Sequence, residues 1–171
     1  MVLSADEHQL PDRPSTAASL LALAAFLILC FAAAYLGSLA TRPNIPDWYV
    51  LLRKPMLTPP NDVFPVAWTI LFALMAVAAW LVWRSGNVER WPALIAFFVQ
   101  LALNVAWSFA FFGNRSPVAG AVVIVLLVAA IGWTIQRFHG VDRLAALLLV
   151  PYLAWVAFAT YLNFGILILN G

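Results

Sequence analysis

Residues 92–112 read PALIAFFVQLALNVAWSFAFF, 21 consecutive positions without an ionisable side chain. At ~1.5 Å per residue, a helix of that length crosses the ~30 Å hydrocarbon layer of a bilayer. Similar uncharged runs occupy 19–40, 63–83, 117–136 and 144–169. All five are continuously apolar and rich in Ala and Leu, whereas a transmembrane β-barrel needs alternation over segments of about ten residues. The expected fold is therefore all-α, a five-helix transmembrane bundle.

The remaining composition agrees with that reading. Of 171 residues, 65% are hydrophobic and 9% charged, against roughly 45–50% and about 25% in soluble domains. Such a chain folded in water would expose large apolar patches. Nine Lys and Arg scattered among seven Asp and Glu leave a net charge of +2, which lacks the basic footprint of a nucleic-acid binder. Cys30 is the single cysteine, so there is no intramolecular disulfide and no CxxC motif.

Residues 1–18 mix prolines and polar side chains without an apolar period, and are expected to form a mobile tail ahead of a membrane domain over 19–171. Asp6, Glu7 and Asp12 outweigh Arg13, unlike the positive leader of a signal peptide, so the first run is expected to stay as a helix. An odd number of spans places Arg13, Arg84, Arg90, Arg137 and Arg143 on one side and Arg42, Arg53, Lys54 and Arg115 on the other. Five against four assigns the N-terminus to the cytoplasmic side by a narrow margin.

In the third run, Gln100, Asn104, Trp107, Ser108 and Phe111 fall within about a quadrant and a half of a helical wheel. Ala102, Ala106 and Ala110 lie on a different face, more than 100° round. Amides are costly in lipid, so the Gln100 and Asn104 face should point into the bundle. The alanine stripe permits close helix approach and is a candidate homodimer interface; packing within one bundle is the plain alternative. The same arithmetic gathers Phe64, Trp68, Phe72, Met75 and Ala79 on the second helix, and Tyr152, Trp155, Ala159, Asn163 and Ile166 on the fifth.

Trp80, Trp83, Trp91 and Trp133 sit where interfacial anchoring suffices to explain them. Trp68, Trp107 and Trp155 lie deeper and suit an aromatic cavity. Pro151 should kink the fifth span near 150–152 and make room between neighbours.

The first connection, 41–62, is long and carries Trp48, Tyr49, Leu51, Leu52, Met56 and Leu57 among prolines 43, 46, 55, 59 and 60. Prolines reduce the entropy lost on ordering. A short helix over 47–53 followed by an extended return is expected, forming a lid over one end of the bundle. Aromatic walls, a few amides and the lid cations Arg42, Arg53 and Lys54 suit a flat, largely apolar ligand with an anionic end. For each cation taken singly, headgroup contact is the simpler role.

No Asp, Glu, Lys, Arg or His lies within the five runs, which argues against a pump or ion channel. His8 and His139 have no metal-ligand spacing, and there is no GxSxG, HExxH or glycine-rich phosphate loop. If the chain performs chemistry, Trp and Tyr are the redox-active and photo-active side chains at hand.

Taken together, the motifs resemble the TspO/MBR family of tryptophan-rich sensory and translocator proteins over about 19–170. The likeness rests on Asp47-Trp48-Tyr49 with Lys54-Pro55 and Pro59-Pro60, and on Phe64-Pro65-Val66-Ala67-Trp68. It continues through Gln100 with Asn104, Trp107 and Ser108, and through Pro151-Tyr152-Leu153-Ala154-Trp155 and Ala159-Thr160-Tyr161-Leu162-Asn163. The resemblance implies a five-helix bundle, usually dimeric, whose first loop caps a pocket for protoporphyrin and related tetrapyrroles, synthetic isoquinoline or benzodiazepine ligands and, in some members, sterols.

It also implies ligand-binding roles for Trp68 and Trp155, which in an enzymatic member would be catalytic in light-dependent porphyrin breakdown. Asn104 and Ala159 would be pocket residues, and Trp48 and Tyr49 part of the lid. No cofactor is required; the tetrapyrrole is the ligand. Two positions depart from the family pattern: Leu57 stands where an aromatic is common, and Phe164 with no following basic residue breaks the sterol motif. Tetrapyrrole is thereby preferred over cholesterol. Without an axial-ligand pair, metal-free porphyrin is expected over haem. The functions implied, in order, are a sensor or regulator, a porphyrin-degrading enzyme and a carrier. Five spans cannot divide into the equal halves that carriers generally show.

Overall fold

The structure, a computed structural model, describes residues 14–171. The tail expected over 1–18 lies mostly outside the described residues. The first helix, α1 (Thr16–Thr41), starts three residues before the expected position because the Ser15 hydroxyl caps it, accepting from the Ala18 N–H at 3.3 Å. Then come α2 (Asn44–Asp47), a 3₁₀ turn (Tyr49–Leu51), α3 (Val63–Arg84), α4 (Arg90–Ser108), a π turn (Phe109–Gly113), α5 (Pro117–His139), α6 (Arg143–Leu148) and α7 (Val150–Asn170).

Five segments are long and apolar enough to cross a membrane: Thr16–Asp47, Val63–Arg84, Arg90–Gly113, Pro117–His139 and Arg143–Asn170. No strand occurs among the described residues. The all-α, five-span expectation holds. In place of one short helix over 47–53, the first connection forms two short turns, beginning at Asn44.

Helix α1 packs against α3 and α4, α4 against α5, and α5 against α7, while α6 fills the space between α3 and α5. The solid core lies toward one end. Cys30, Met75, Ala76, Ala79, Val82, Phe97, Ile131 and Phe138 are buried there, with alanines letting the backbones close in. Every buried position of α3 comes at or after Leu71, and none lies in 63–70. The half of the bundle near the start of α3 is therefore less tightly filled.

The fifth span shows why. Pro151 removes a backbone donor, and the helix breaks at Leu149, whose N–H turns back to the Ala146 carbonyl at 3.1 Å. The kink expected at 150–152 sits at this junction. On one side α6 packs on α3; on the other α7 stays with α5 and touches α3 little. The third span also departs from a regular helix, contrary to the expectation of one helix through 112. The Asn114 and Ser116 N–H groups reach back five residues, to the carbonyls of Phe109 (2.8 Å) and Phe111 (3.2 Å). This widened turn brings both Phe111 and Phe112 against Trp48, with ring centroids 5.5 and 6.4 Å away.

Candidate functional site

The loosely filled half contains a cavity of about 410 Å³, within the ~300–1,000 Å³ of small-molecule sites. Its aromatic walls come from Trp68 and Phe72 of α3, Trp107 of α4, Phe111 and Phe112 of the π turn, and Tyr49 of the lid. Asn104, Ala159 and Asn163 also line it. The expected inward faces of α3, α4 and α7 therefore converge on one space.

The polar side chains around it are fixed by one another. Asn104 Nδ2 donates to the Tyr152 hydroxyl at 3.0 Å. Trp107 Nε1 donates to Asn163 Oδ1 at 3.1 Å, and Asn163 Nδ2 donates to the Pro117 carbonyl at 2.8 Å. Asn163 thus ties α4, α7 and the start of α5, and Gly120 makes this possible: a Cβ there would stand 2.7 Å from Asn163 Oδ1 and from the Phe111 ring. Bonded in this way, the amides keep the indole of Trp107 in a defined orientation on the wall.

The first loop closes the end of the cavity. Tyr49 is 6% exposed; Phe112 lies 5.6 Å from its ring and Lys54 Nζ 4.6 Å above it. Burial pushes the Tyr49 phenol pKa above its usual value. Two further ties hold the loop down. Asn170 pairs with the Arg53 backbone, its Oδ1 accepting from the Arg53 N–H at 2.9 Å and its Nδ2 donating to the Arg53 carbonyl at 2.9 Å. Arg115 Nε donates to Asn44 Oδ1 at 2.8 Å. Arg115 adopts φ 51°, a left-handed conformation that costs a side-chain-bearing residue roughly 1–2 kcal/mol.

Several expected site residues lie elsewhere. Trp48 sits behind the wall on Phe111 and Phe112. Trp155 stands one ring back, edge-on to the lining residue Phe64 at 5.8 Å. Tyr152 is fully buried beneath Asn104, and Gln100 is deeper, with Met75 Sδ 3.9 Å from its Nε2 and no partner for its Oε1. Arg42 lines the cavity, whereas Arg53 and Lys54 belong to the outer part of the lid. Ala102 and Ala106 are exposed on the outside of α4, and Ala110 is half-buried.

Sequence reasoning assigned no site role to α1. Phe31, Ala34, Tyr35, Gly37, Ser38 and Thr41 nonetheless form a wall of the cavity. Gly37 lets α1 approach α4, since a Cβ there would lie 3.0 Å from Ser108 Oγ. The cluster of Tyr, Gly, Ser and Thr in an otherwise aliphatic run was the available signal.

The model of the TspO/MBR family matches residues 26–169. The chain is 45% identical over 155 residues to the tryptophan-rich protein TspO of Chlorobaculum tepidum, covering 88% of this chain and 97% of that protein. It is 44% identical to the tryptophan-rich sensory protein of Cereibacter sphaeroides, covering 85% and 89%. It is 39% identical to the human translocator protein, covering 68% and 71%. A five-span apolar bundle, a capped aromatic cavity and these matches across the spans make the chain an integral multi-pass membrane protein and a member of the TspO/MBR family.

Proposed function

We propose that the protein is a sensor or regulator that binds a metal-free tetrapyrrole of the protoporphyrin type in the cavity beneath the first loop. The observation that carries the reading is a flat-walled aromatic cavity with a cation at its rim. Trp68, Phe72 and Trp107 supply faces for stacking. Arg42 is the only basic side chain among the described lining residues, and its planar fork suits a propionate. The described lining holds no His, Cys or Met, the side chains that most often ligate haem iron.

The protein is further proposed to act as a homodimer in a bacterial cell membrane, with the exposed Ala102 and Ala106 and the adjoining Ala110 at the contact. A degradative reading has one point in its favour. Trp68 lines the cavity and lies 6.3 Å from Tyr152, so an oxidisable pair adjoins the ligand. Trp155 is the less favourable partner, since Phe64 stands between it and the cavity.

The test is a titration of the protein in nanodiscs with protoporphyrin, following Trp quenching in the dark and absorbance under light. Wild type should quench saturably, and Arg42→Gln should weaken binding about tenfold, the ~1.4 kcal/mol scale of a charge-assisted contact. Bleaching that Trp68→Phe abolishes would select the enzyme. Absence of saturable quenching in wild type would refute the tetrapyrrole reading.

A further inference from the structure

We infer that the cavity is entered from the lipid, through a portal between α1 and α3, and not from water through the lid. The inference rests on the ligand-binding reading and specifies its route. The exposed lining residues lie on two elements and at their rim. Phe31 and Tyr35 belong to α1, Pro65 and Thr69 to α3, and Arg42 and Asn61 stand at the top. The lining residues of α7, by contrast, are buried or half-buried.

Tyr35 and Thr69 lie six residues inside the lid-side ends of their helices, about 9 Å along the axis and hence at hydrocarbon depth. The two helices are joined at the far end, where Trp80 Nε1 donates to the Ser19 carbonyl at 2.8 Å, and the first eight residues of α3 hold no buried position.

The chemistry of the opening suits lipid. Three of its hydroxyls spend their protons on their own helices: Ser38 on the Tyr35 carbonyl (2.7 Å), Thr41 on Gly37 (3.0 Å) and Thr69 on Pro65 (2.8 Å). None of these three presents an unmet donor to the acyl chains. Arg42 at the top would hold an anionic group at headgroup level while the flat body slides in below. The lid, meanwhile, is tied by Asn170 to Arg53 and by Arg115 to Asn44. The occupant that fits this path is an amphiphile already dissolved in the membrane.

The test measures exchange of protoporphyrin between donor vesicles and the protein in phosphatidylcholine nanodiscs. Thr69→Phe, which narrows the portal, should slow dissociation as well as association by about tenfold, whereas mere loss of affinity would quicken dissociation. Asn170→Ala, which loosens the lid, should leave both rates unchanged. A second arm needs no porphyrin: lipids brominated along the acyl chain should quench the Trp68 emission, taken as wild type minus Trp68→Phe, and Thr69→Phe should reduce that quenching. The portal is overturned by Trp68 emission indifferent to brominated chains, by exchange that quickens in Asn170→Ala, or by unchanged rates in Thr69→Phe. If wild type binds no porphyrin at all, the ligand reading fails, and the brominated-lipid arm still decides the portal.

Discussion

Replacing Gly165 with Ala should release the lid. A Cβ at this position of α7 would overlap Pro55 Cγ and stand 3.2 Å from Pro55 Cβ and 3.5 Å from its Cδ. The pyrrolidine ring can change pucker but cannot swing away from the backbone, so the segment 53–55 must shift by about 1 Å or more to regain an ordinary ~3.5–4.0 Å carbon contact. A shift of that size breaks the paired hydrogen bonds between Asn170 and the Arg53 backbone, both 2.9 Å long. Overpacking costs ~1–3 kcal/mol and each lost hydrogen bond ~1 kcal/mol. Because displacement relieves part of the overlap, a net of about 2–4 kcal/mol is expected, a ~30- to 1,000-fold rise in the open population. Hydrogen exchange in nanodiscs reads this at the Arg53 amide, which should lose protection by that factor while the α4 and α5 amides keep theirs. Gly132→Ala is the matched control. Nothing lies within 4 Å of a Cβ there, so it should leave Arg53 untouched and stabilise α5 by up to ~1 kcal/mol. Unchanged protection at Arg53 in Gly165→Ala would refute the claim that the Pro55 contact holds the lid.

Asn163→Leu orphans the Trp107 indole N–H in a buried wall and should lower stability by ~1–3 kcal/mol; a thermal midpoint in detergent equal to wild type would count against it. Ala106→Leu puts a bulky side chain on the exposed α4 stripe, so native mass spectrometry should show monomer with an unaltered helical spectrum, and an intact dimer would remove that interface. Raising the pH should leave the lid closed until about 10 and then loosen it. The buried Tyr49 phenol has its folded pKa raised by desolvation, so its contribution is fully present below the unfolded value of ~10 and is lost as pH climbs through the folded one. The Arg53 amide should lose protection beyond base catalysis in that range, and Tyr49→Phe should abolish this excess loss.

The spans were legible because 21 uncharged residues in a bilayer have one economical structure. The inner face of α4 followed from the placing of Gln100 and Asn104, since period fixes direction. Period does not fix depth along the bundle. Gln100, one turn from Asn104 on the same face, therefore falls into solid core while Asn104 reaches the cavity. Trp155 shares its face with Ala159, yet is separated from the space by Phe64, a residue of another helix whose register no single-helix argument supplies. The break at Leu149 was signalled by Pro151. The π turn carried no such mark, because its stability comes from tertiary contacts of Phe111 and Phe112 with Trp48 and Trp107. The left-handed Arg115 was equally silent, its strain being offset across the structure by Asn44.

The break at Leu149 makes the protein mechanically uneven across the membrane. One leaflet meets a filled cylinder whose volume responds little to compression; the other meets a wall of helices around empty space. Lateral pressure in the second leaflet therefore does work on the cavity, and lipids that crowd the acyl region there should squeeze it while thin, loosely packed chains let it swell. Under the proposed ligand-binding function, affinity would then depend on the composition of a single leaflet. In this way one proline, by separating α6 from α7, gives the bilayer itself a hand on the cavity.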